Sequence, residues 1–513
     1  VIYTLEAGDG GIASDLDGMD AAEKLWTNGE NIRFENGYFQ PFDGHYRLYD
    51  PPSVTPYGVF PLRTTSANLW VYTGLAKAYA VSTAGTHYDI TRATGGDYTA
   101  TAATKWTGGA LTSFLIFNNE NDVPQSWNGN TASDAVNLAN WNSTWRCKSI
   151  RPLRNYLVAV NITKSSTNYP MMVKWSHAAD PGTLPTSWDE TDAAKNAGEQ
   201  DIGDANGYLV DVVPYGDLGI IYSTGAYHSM QYIGGTFIWR FTRLSGDVGA
   251  ISQNCAVQYP GGHVVLAAGD VFAHSGGQPT SIINRRMRRH LFNAMDGTNY
   301  QRSFVAHDEA RAEVWVCIPE ATESVCTRAY VWNYAQDSWT IRDLPNCVAG
   351  NSGPVVTSLS SSWADGTGTW DSAAGPWDGD SVEANRRRLV MASTSSRLYL
   401  MDAGDDYDGS TPSAYVERTG LSLGDPSRIK IVKSVRPRID ASIGTVVNIK
   451  IGGAMTADGS VAWSAAMPYT VGTSLAAYGF ATGKYIGVKF ESTAGAVWRC
   501  RSLDIEYVFA GVA

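Results

Sequence analysis

Three groups of residues have the types and spacing to do chemistry. Asp402, Asp405, Asp406 and Asp408 lie within "DAGDDYDG" and offer the oxygen ligands that a hard cation takes. Set in an EF-hand register with Gly409 as the central glycine, position one falls on Gly404 and position twelve on Tyr415, so two essential ligands fail. These aspartates are weak metal candidates and read better as a solvated linker between domains. The second group is basic: Arg285, Arg286, Arg288 and Arg289, then Arg386, Arg387 and Arg388. They could touch DNA phosphates, but pairing with surplus carboxylates at internal or subunit contacts is preferred, because the chain is acidic overall. The third is "WADGTGTWDSAAGPWDGDS", with Trp363, Trp370 and Trp377 seven residues apart. Gly366, Gly368, Gly375, Pro376 and Gly379 forbid a continuous helix there, so the spacing is no coiled-coil seam.

That tryptophan stretch nearly matches the Ser-x-Asp-x-Gly-x-Thr-Trp box of propeller glycosidases through Asp365, Thr369 and Trp370. Trp363 stands where the box wants Ser and Thr367 where it wants Gly, and no acid pair accompanies it. Turn packing is favoured over a sugar platform. The sequence holds no G-x-S-x-G, H-E-x-x-H, P-loop or dinucleotide fingerprint. Its eight histidines (His45, His87, His177, His228, His263, His274, His290 and His307) are scattered, with none paired at i,i+4. No catalytic residue and no cofactor is nominated, and the expectation is a protein that is not an enzyme.

The elements that position these groups are strands. The 513 residues are 43% apolar and 17% charged, with 52 glycines, 27 tyrosines and 17 tryptophans, a composition of short strands and tight turns. Net charge is −11, which argues against a conventional DNA-binding surface. Cys147, Cys255, Cys317, Cys326, Cys347 and Cys500 form no C-x-x-C and read as mostly reduced, a Cys317–Cys326 hairpin bridge being the alternative. No signal peptide and no membrane span is expected.

A repeat organises the strands. "KAYAVSTAG", "DVFAHSGG" and "RLYLMDAG" share a charged residue, an aromatic flanked by apolar residues (Tyr79, Phe272, Tyr399) and a turn into Gly; "GAYHSMQYIGG" is a looser copy. Each reads as a short inner strand. A second unit, an apolar strand, a polar turn and Ser-Trp, reaches Trp127, Trp188 and Trp339 and reads as a hairpin whose outer strand begins at the tryptophan. The cycle is roughly fifty residues, the size of a four-stranded propeller blade. The expectation is all-β: a propeller of six or seven blades over 1–410, closed by an N-terminal strand within residues 31–49, with a Trp-Asp-rich insertion near 361–381. Strict alternation after Ser413 (Val447, Ile449, Ile451; Ile486, Val488, Phe490; Leu503, Ile505, Tyr507) predicts a β-sandwich over 411–513. Helix is scarce, the best candidate being Ser281 to Asp296.

Phrases in their order carry a resemblance: "NIRFENG" from Asn31, "VKWSHAADPGTLPTSW" from Val173, "SMQYIGG" from Ser229, "LSGDVGAIS" from Leu244, "HDEARAEVWVCIP" from His307, "SWTIRDLP" from Ser338 and "TWDSAAGPWDGD" from Thr369. Over most of residues 10–403 the chain resembles the β-propeller structural proteins of short-tailed bacteriophages, the tail hub, nozzle or DNA-stabilisation protein below the portal and adaptor rings. The resemblance implies a homo-hexameric ring in the virion tail. Its neighbours are the tail adaptor or portal-proximal ring and tail fibre or spike proteins. Genomic double-stranded DNA is retained by its channel, then passes through it without specific binding. It also makes the Trp-Asp turns a structural insertion before the last blade. The rival classes are a receptor- or glycan-binding tail propeller and, further off, a propeller glycosidase.

Overall fold

The computed structural model describes residues 1–49, 51–235, 237–355, 387–457, 459–492 and 497–512. The Trp-Asp stretch and Arg386 lie outside the described residues. The chain is all-β, with one short α-helix among the described residues, Arg288–Ala294, inside the segment where a helix is expected, and a 3₁₀ turn at Tyr300–Arg302; Met287 and Leu291 bury the α-helix's apolar side.

Five antiparallel four-stranded sheets follow one another. The first is Gly58–Arg63, Asn68–Thr73, Ala78–Ser82 and His87–Asp89, and the second Thr107–Leu111, Phe114–Asn118, Gln125–Trp127 and Val136–Asn137. The third is Trp145–Leu153, Tyr156–Lys164, Thr167–Trp175 and Gly198–Asp201, and the fourth Leu209–Tyr215, Leu218–Ser223, Tyr227–Tyr232 and Trp239–Ser245. The fifth is Ala256–Tyr259, Gly262–Ala267, Asp270–His274 and Thr280–Ser281. A seven-stranded sheet then runs Phe304–Asp308, Glu313–Ile318, Cys326–Asn333, Ser338–Pro354, Arg387–Ser393, Arg397–Met401 and finally His45–Arg47. Its long middle strand pairs with Cys326–Asn333 through its first half and, from Cys347 onward, with Arg387–Ser393. It therefore serves two four-stranded units, the sixth and seventh, and the seventh is completed from the other end of the chain.

The first strand of each unit touches the first strand of the next, and Ser338–Pro354 returns to Gly58–Arg63. Apolar clusters fill the seams. Phe60, Leu69 and Val71 of the first unit pack on Leu115, Phe117 and Trp127 of the second. Val390 and Leu398 of the seventh pack on Val59 and Trp70 of the first. Strands flanked on both faces read as continuous apolar runs, as in Leu157 to Val160, which are fully buried. The small four-stranded sheets are consistent with propeller blades.

Two further six-stranded sheets gather the C-terminal strands. One contains Ile32–Glu35, Tyr38–Pro41, Trp498–Val512, Arg428–Ala441 and Ala477–Gly483, with Ile2–Glu6 on Trp498–Val512. The other contains Asn28–Glu30, Ala414–Leu421, Tyr485–Ser492, Val446–Ala454 and Ala462–Trp463, with Met467–Thr470 on Val446–Ala454. The alternating residues Val447, Ile449, Ile451, Ile486, Val488, Phe490, Leu503, Ile505 and Tyr507 are all buried, in one core with Trp26 and Phe39.

Three expectations are corrected by the pairing. First, the segment 31–49 divides: residues 45–47 join the seventh unit, while Tyr38–Pro41, like Ile2–Glu6 and Asn28–Glu30, pairs with a C-terminal strand and carries Ile32–Glu35 on its other side. A boundary giving all of 1–410 to the repeat therefore does not follow the hydrogen bonds. Second, the strands that carry Tyr79, Phe272 and Tyr399 are each third in their units, and so is Tyr227–Tyr232. They are not innermost, because the contacts between units run through the first strands. Third, the Ser-Trp rule holds for Trp339, which opens an outer strand, whereas Trp127 ends a third strand and Trp188 lies in a loop.

Candidate functional site

The first strands of the second to seventh units line a cavity of about 860 Å³, through residues 108–110, 151–152, 212–214, 254, 256–260, 305–307 and 350–352, with Glu309, Tyr334 and Arg387. Near the lining residue Asn254, side chains bridge units which do not follow one another. Lys105, leading into the second unit, is 8% exposed and donates from Nζ to the carbonyls of Gln253 at 2.6 Å and Ser303 at 2.5 Å, which lead into the fifth and sixth. Asn254 Nδ2 donates back to the Trp106 carbonyl at 3.1 Å. The approaches to the second, fifth and sixth units thus meet at one buried ammonium.

A buried ion pair adjoins this bridge through Asn254. Arg151 Nη2 donates to Asp211 Oδ2 at 2.9 Å and to Asn254 Oδ1 at 2.5 Å, and its Nη1 donates to the Gly108 carbonyl at 2.8 Å. Asp211 is fully buried and also accepts from Ser149 Oγ at 2.6 Å and the Asn254 amide at 3.0 Å. Burial pushes its carboxyl up, but Arg151 and these hydrogen bonds outweigh that and hold it below the usual carboxylate range. Burial pulls the Lys105 ammonium down.

A second polar centre fastens the chain ends. Arg33, on Ile32–Glu35, donates to Glu313 at 2.7 and 3.0 Å and to Asp402. Arg342 donates to Asp402 Oδ1 at 2.5 Å and to the carbonyls of Asp43 and Gly44. Both guanidiniums lie over the Phe42 ring, at 4.4 and 4.9 Å. Asp402 thus joins the N-terminal segment to the sixth and seventh units. Its carboxyl is raised by burial and lowered more by Arg33, Arg342 and Arg311, so it stays below the usual range. Asp308 is also buried and is pushed the other way, to about 7, by burial and by the charges of Asp402 and Glu313.

Of the four aspartates, Asp402 and Asp408 are therefore not part of a solvated linker. Asp402 is buried in this lock, and Asp408 accepts from Arg47 Nε at 2.7 Å and Tyr399 Oη at 2.9 Å. Asp405 and Asp406 are exposed, and the Asp406 carbonyl accepts from the His45 amide at 2.9 Å. Among the described residues, no group of three or more His, Cys, Asp or Glu side chains could hold a metal ion.

The arginines are dispersed. Arg285 is exposed at φ 58°; Arg286 reaches Asp337 at 3.5 Å and the Gly10 carbonyl at 3.1 Å; Arg288 lies 3.9 Å from Asp270. The amides of Arg289 and His290 donate to Asp15, which thereby caps the short helix. Arg387 pairs with Glu309 at 2.9 Å at the cavity, and Arg388 stands opposite Gly353 in the seventh unit. All six cysteines are free and buried.

Sequence reasoning missed Lys105, Arg151, Asp211, Arg33 and Arg342. For the two arginines of the lock the signal is a charged residue inside an apolar strand, as in "NIRFE" and "SWTIRDL", which implies a buried partner.

No protein-family model matches the chain, and no curated protein matches it. No helix among the described residues is long and apolar enough to cross a membrane.

Proposed function

We propose that this chain is a structural ring protein of a short phage tail, a nozzle or hub, and that it is not an enzyme. In this reading the seven four-stranded units are a closed seven-bladed propeller. The two C-terminal sheets, with strands from residues 2–41, are a β-sandwich. The protein retains and then conducts the genome as part of a homo-hexamer bordered by an adaptor ring and by fibres or spikes.

The observation that carries the reading is the stitching of the chain. The N-terminal segment pairs with C-terminal strands and with the seventh unit, and Arg33 and Arg342 meet at Asp402 between them. A propeller fastened at its seam resists peeling under load, which suits a conduit for pressurised DNA. The ordered sequence resemblance supplies the phage context. The size of the cavity, about 860 Å³, supports a DNA path between protomers, since it is too small to pass a duplex whose major groove alone is about 12 Å wide.

Electron microscopy of phage particles labelled with an antibody to this chain tests the proposal. Label at the tail, on a sixfold ring below the portal, is expected. Label elsewhere on the particle, or on no particle, overturns it.

A further inference from the structure

The sheet built on Arg428–Ala441 and Trp498–Val512 turns one face to the core through Val432, Val435, Leu503, Ile505 and Tyr507. Its other face is a mixture of exposed aromatics and cations. Ala477–Gly483, the last strand of the sheet, exposes Tyr478 by 66% and Phe480 by 76%, and Tyr478 stands opposite Ser434 on that outer side. Leu475, just before this strand, is 84% exposed. Lys433, Arg436 and Arg438 are exposed on the neighbouring strand. Isolated apolar residues on a surface need no explanation, but adjoining large ones flanked by arginine mark an interaction face.

The charge of the chain is divided along its length. Residues 414–513 carry eleven Lys and Arg against seven Asp and Glu, while residues 1–413 carry 28 against 43. The C-terminal segment is thus net positive on a molecule that is otherwise strongly negative. Three cations of the outer face are already matched on it, Arg436 with Glu506 at 2.9 Å, Arg438 with Asp504 at 3.7 Å and Arg499 with Asp440 at 2.5 Å. A face that is aromatic and mostly self-paired suits a protein partner better than a polyphosphate, which needs unmatched cations.

We propose that this outer face docks a second copy of the same chain, head to tail, against the acidic part formed by residues 1–413. The two surfaces differ, so the contact is heterologous and propagates until it closes a ring. The proposal rests on the ring reading given above and names the surface that would make the ring.

Sedimentation velocity of the full-length chain over a concentration series tests it, at about 0.05 M and 0.5 M salt to vary the screening. Two variants are compared, Tyr478→Ser with Phe480→Ser, and Arg436→Glu with Arg438→Glu, each checked for native circular dichroism and melting. The wild type is expected to associate, more strongly at low salt, and each variant to associate at least about tenfold more weakly, the loss that roughly 1.4 kcal/mol of contact gives. A carbodiimide should also link Lys433 to carboxylates of residues 1–413 in another copy. If the wild type associates and both variants do so equally, this face is overturned while the ring reading stands. A wild type that stays monomeric throughout overturns the self-docking face, and particle imaging then judges the ring by itself. A monomer that binds a short DNA duplex through the same residues also overturns it, in favour of a nucleic-acid face.

Discussion

At the scale of single residues, the buried titratable groups carry opposite pH dependences. Asp308 has a folded pKa of about 7, against roughly 3.9 when unfolded. The native state therefore keeps a proton that the unfolded chain loses, so this stability is present in acid and is lost as pH rises through 7. Asp308→Asn retains an acceptor for the Ala310 amide and removes the repulsion with Asp402 and Glu313. Urea unfolding should find its stability relative to wild type rising from pH 5 to pH 8, by about 1–3 kcal/mol. The histidines work the other way. Tyr222 Oη lies 2.7 Å from both His263 Nδ1 and His274 Nε2, His263 Nε2 lies 2.9 Å from the Pro214 carbonyl, and the Gly276 amide donates to His274 Nδ1. That chain is complete only with both rings neutral, and burial lowers them to about 4 and about 3. The unfolded state then binds the extra protons, so their contribution is lost as pH falls from about 6.5 towards these values. Proton-detected histidine spectra should show neither ring titrating between pH 7.5 and 5; a midpoint near 6.5 for either would refute the assigned hydrogen bonds.

At the scale of elements, His45–Arg47 is the critical strand, because it completes the seventh unit from the other end of the chain. Proline cannot donate into a ladder, so Tyr46→Pro should open this seam. Hydrogen exchange should speed up in Arg397–Met401 and Arg387–Ser393, while Val446–Ala454 and Tyr485–Ser492 keep their protection. Uniform loss of protection would mean that the two sheet systems unfold as one. Much of this architecture was legible in the sequence. The repeat around Tyr79, Phe272 and Tyr399 reported real, equivalent strands, and the two-residue alternation at Val447 and Ile486 reported the buried faces of the C-terminal sheets. Periodicity is local, however, and carries no partner. It could not say that those aromatic strands are third in their units, or that Ile2–Glu6 pairs with Leu503 and Ile505 from the far end of the chain. The polar centres were hidden for the same reason: Asp402 looked like one acid among four until the fold brought Arg33 and Arg342 to it.

At the scale of the whole molecule, the ring proposed above requires the acid surplus to be compatible with a duplex moving close by. DNA carries one negative charge per about 1.7 Å of axis, and each protein cation that neutralises a phosphate releases a counterion and strengthens binding. An acidic wall avoids that gain and leaves the duplex hydrated. Asp97, Asp217 and Asp337 are well placed to test this, with side chains 62%, 88% and 66% exposed. Each lies beside a cation, Lys77, Arg154 or Arg286, so its reversal also removes one partner from that cation. Exposed substitutions of this kind cost about 0.5 kcal/mol or less at Asp97 and Asp217, and more at Asp337, which sits at φ 50° and accepts from Trp332 Nε1 at 3.0 Å, so melting of the triple variant is measured beside its binding. The wild type should not retard a duplex at about 0.15 M salt, whereas Asp97→Lys, Asp217→Lys and Asp337→Lys together should, with an affinity that falls steeply as salt rises. In assembled particles the same changes should slow DNA ejection wherever they face the channel, most at low salt. Equal duplex binding by wild type and variant would remove the electrostatic argument for a conduit, because the acidic surface would then not be what keeps DNA free.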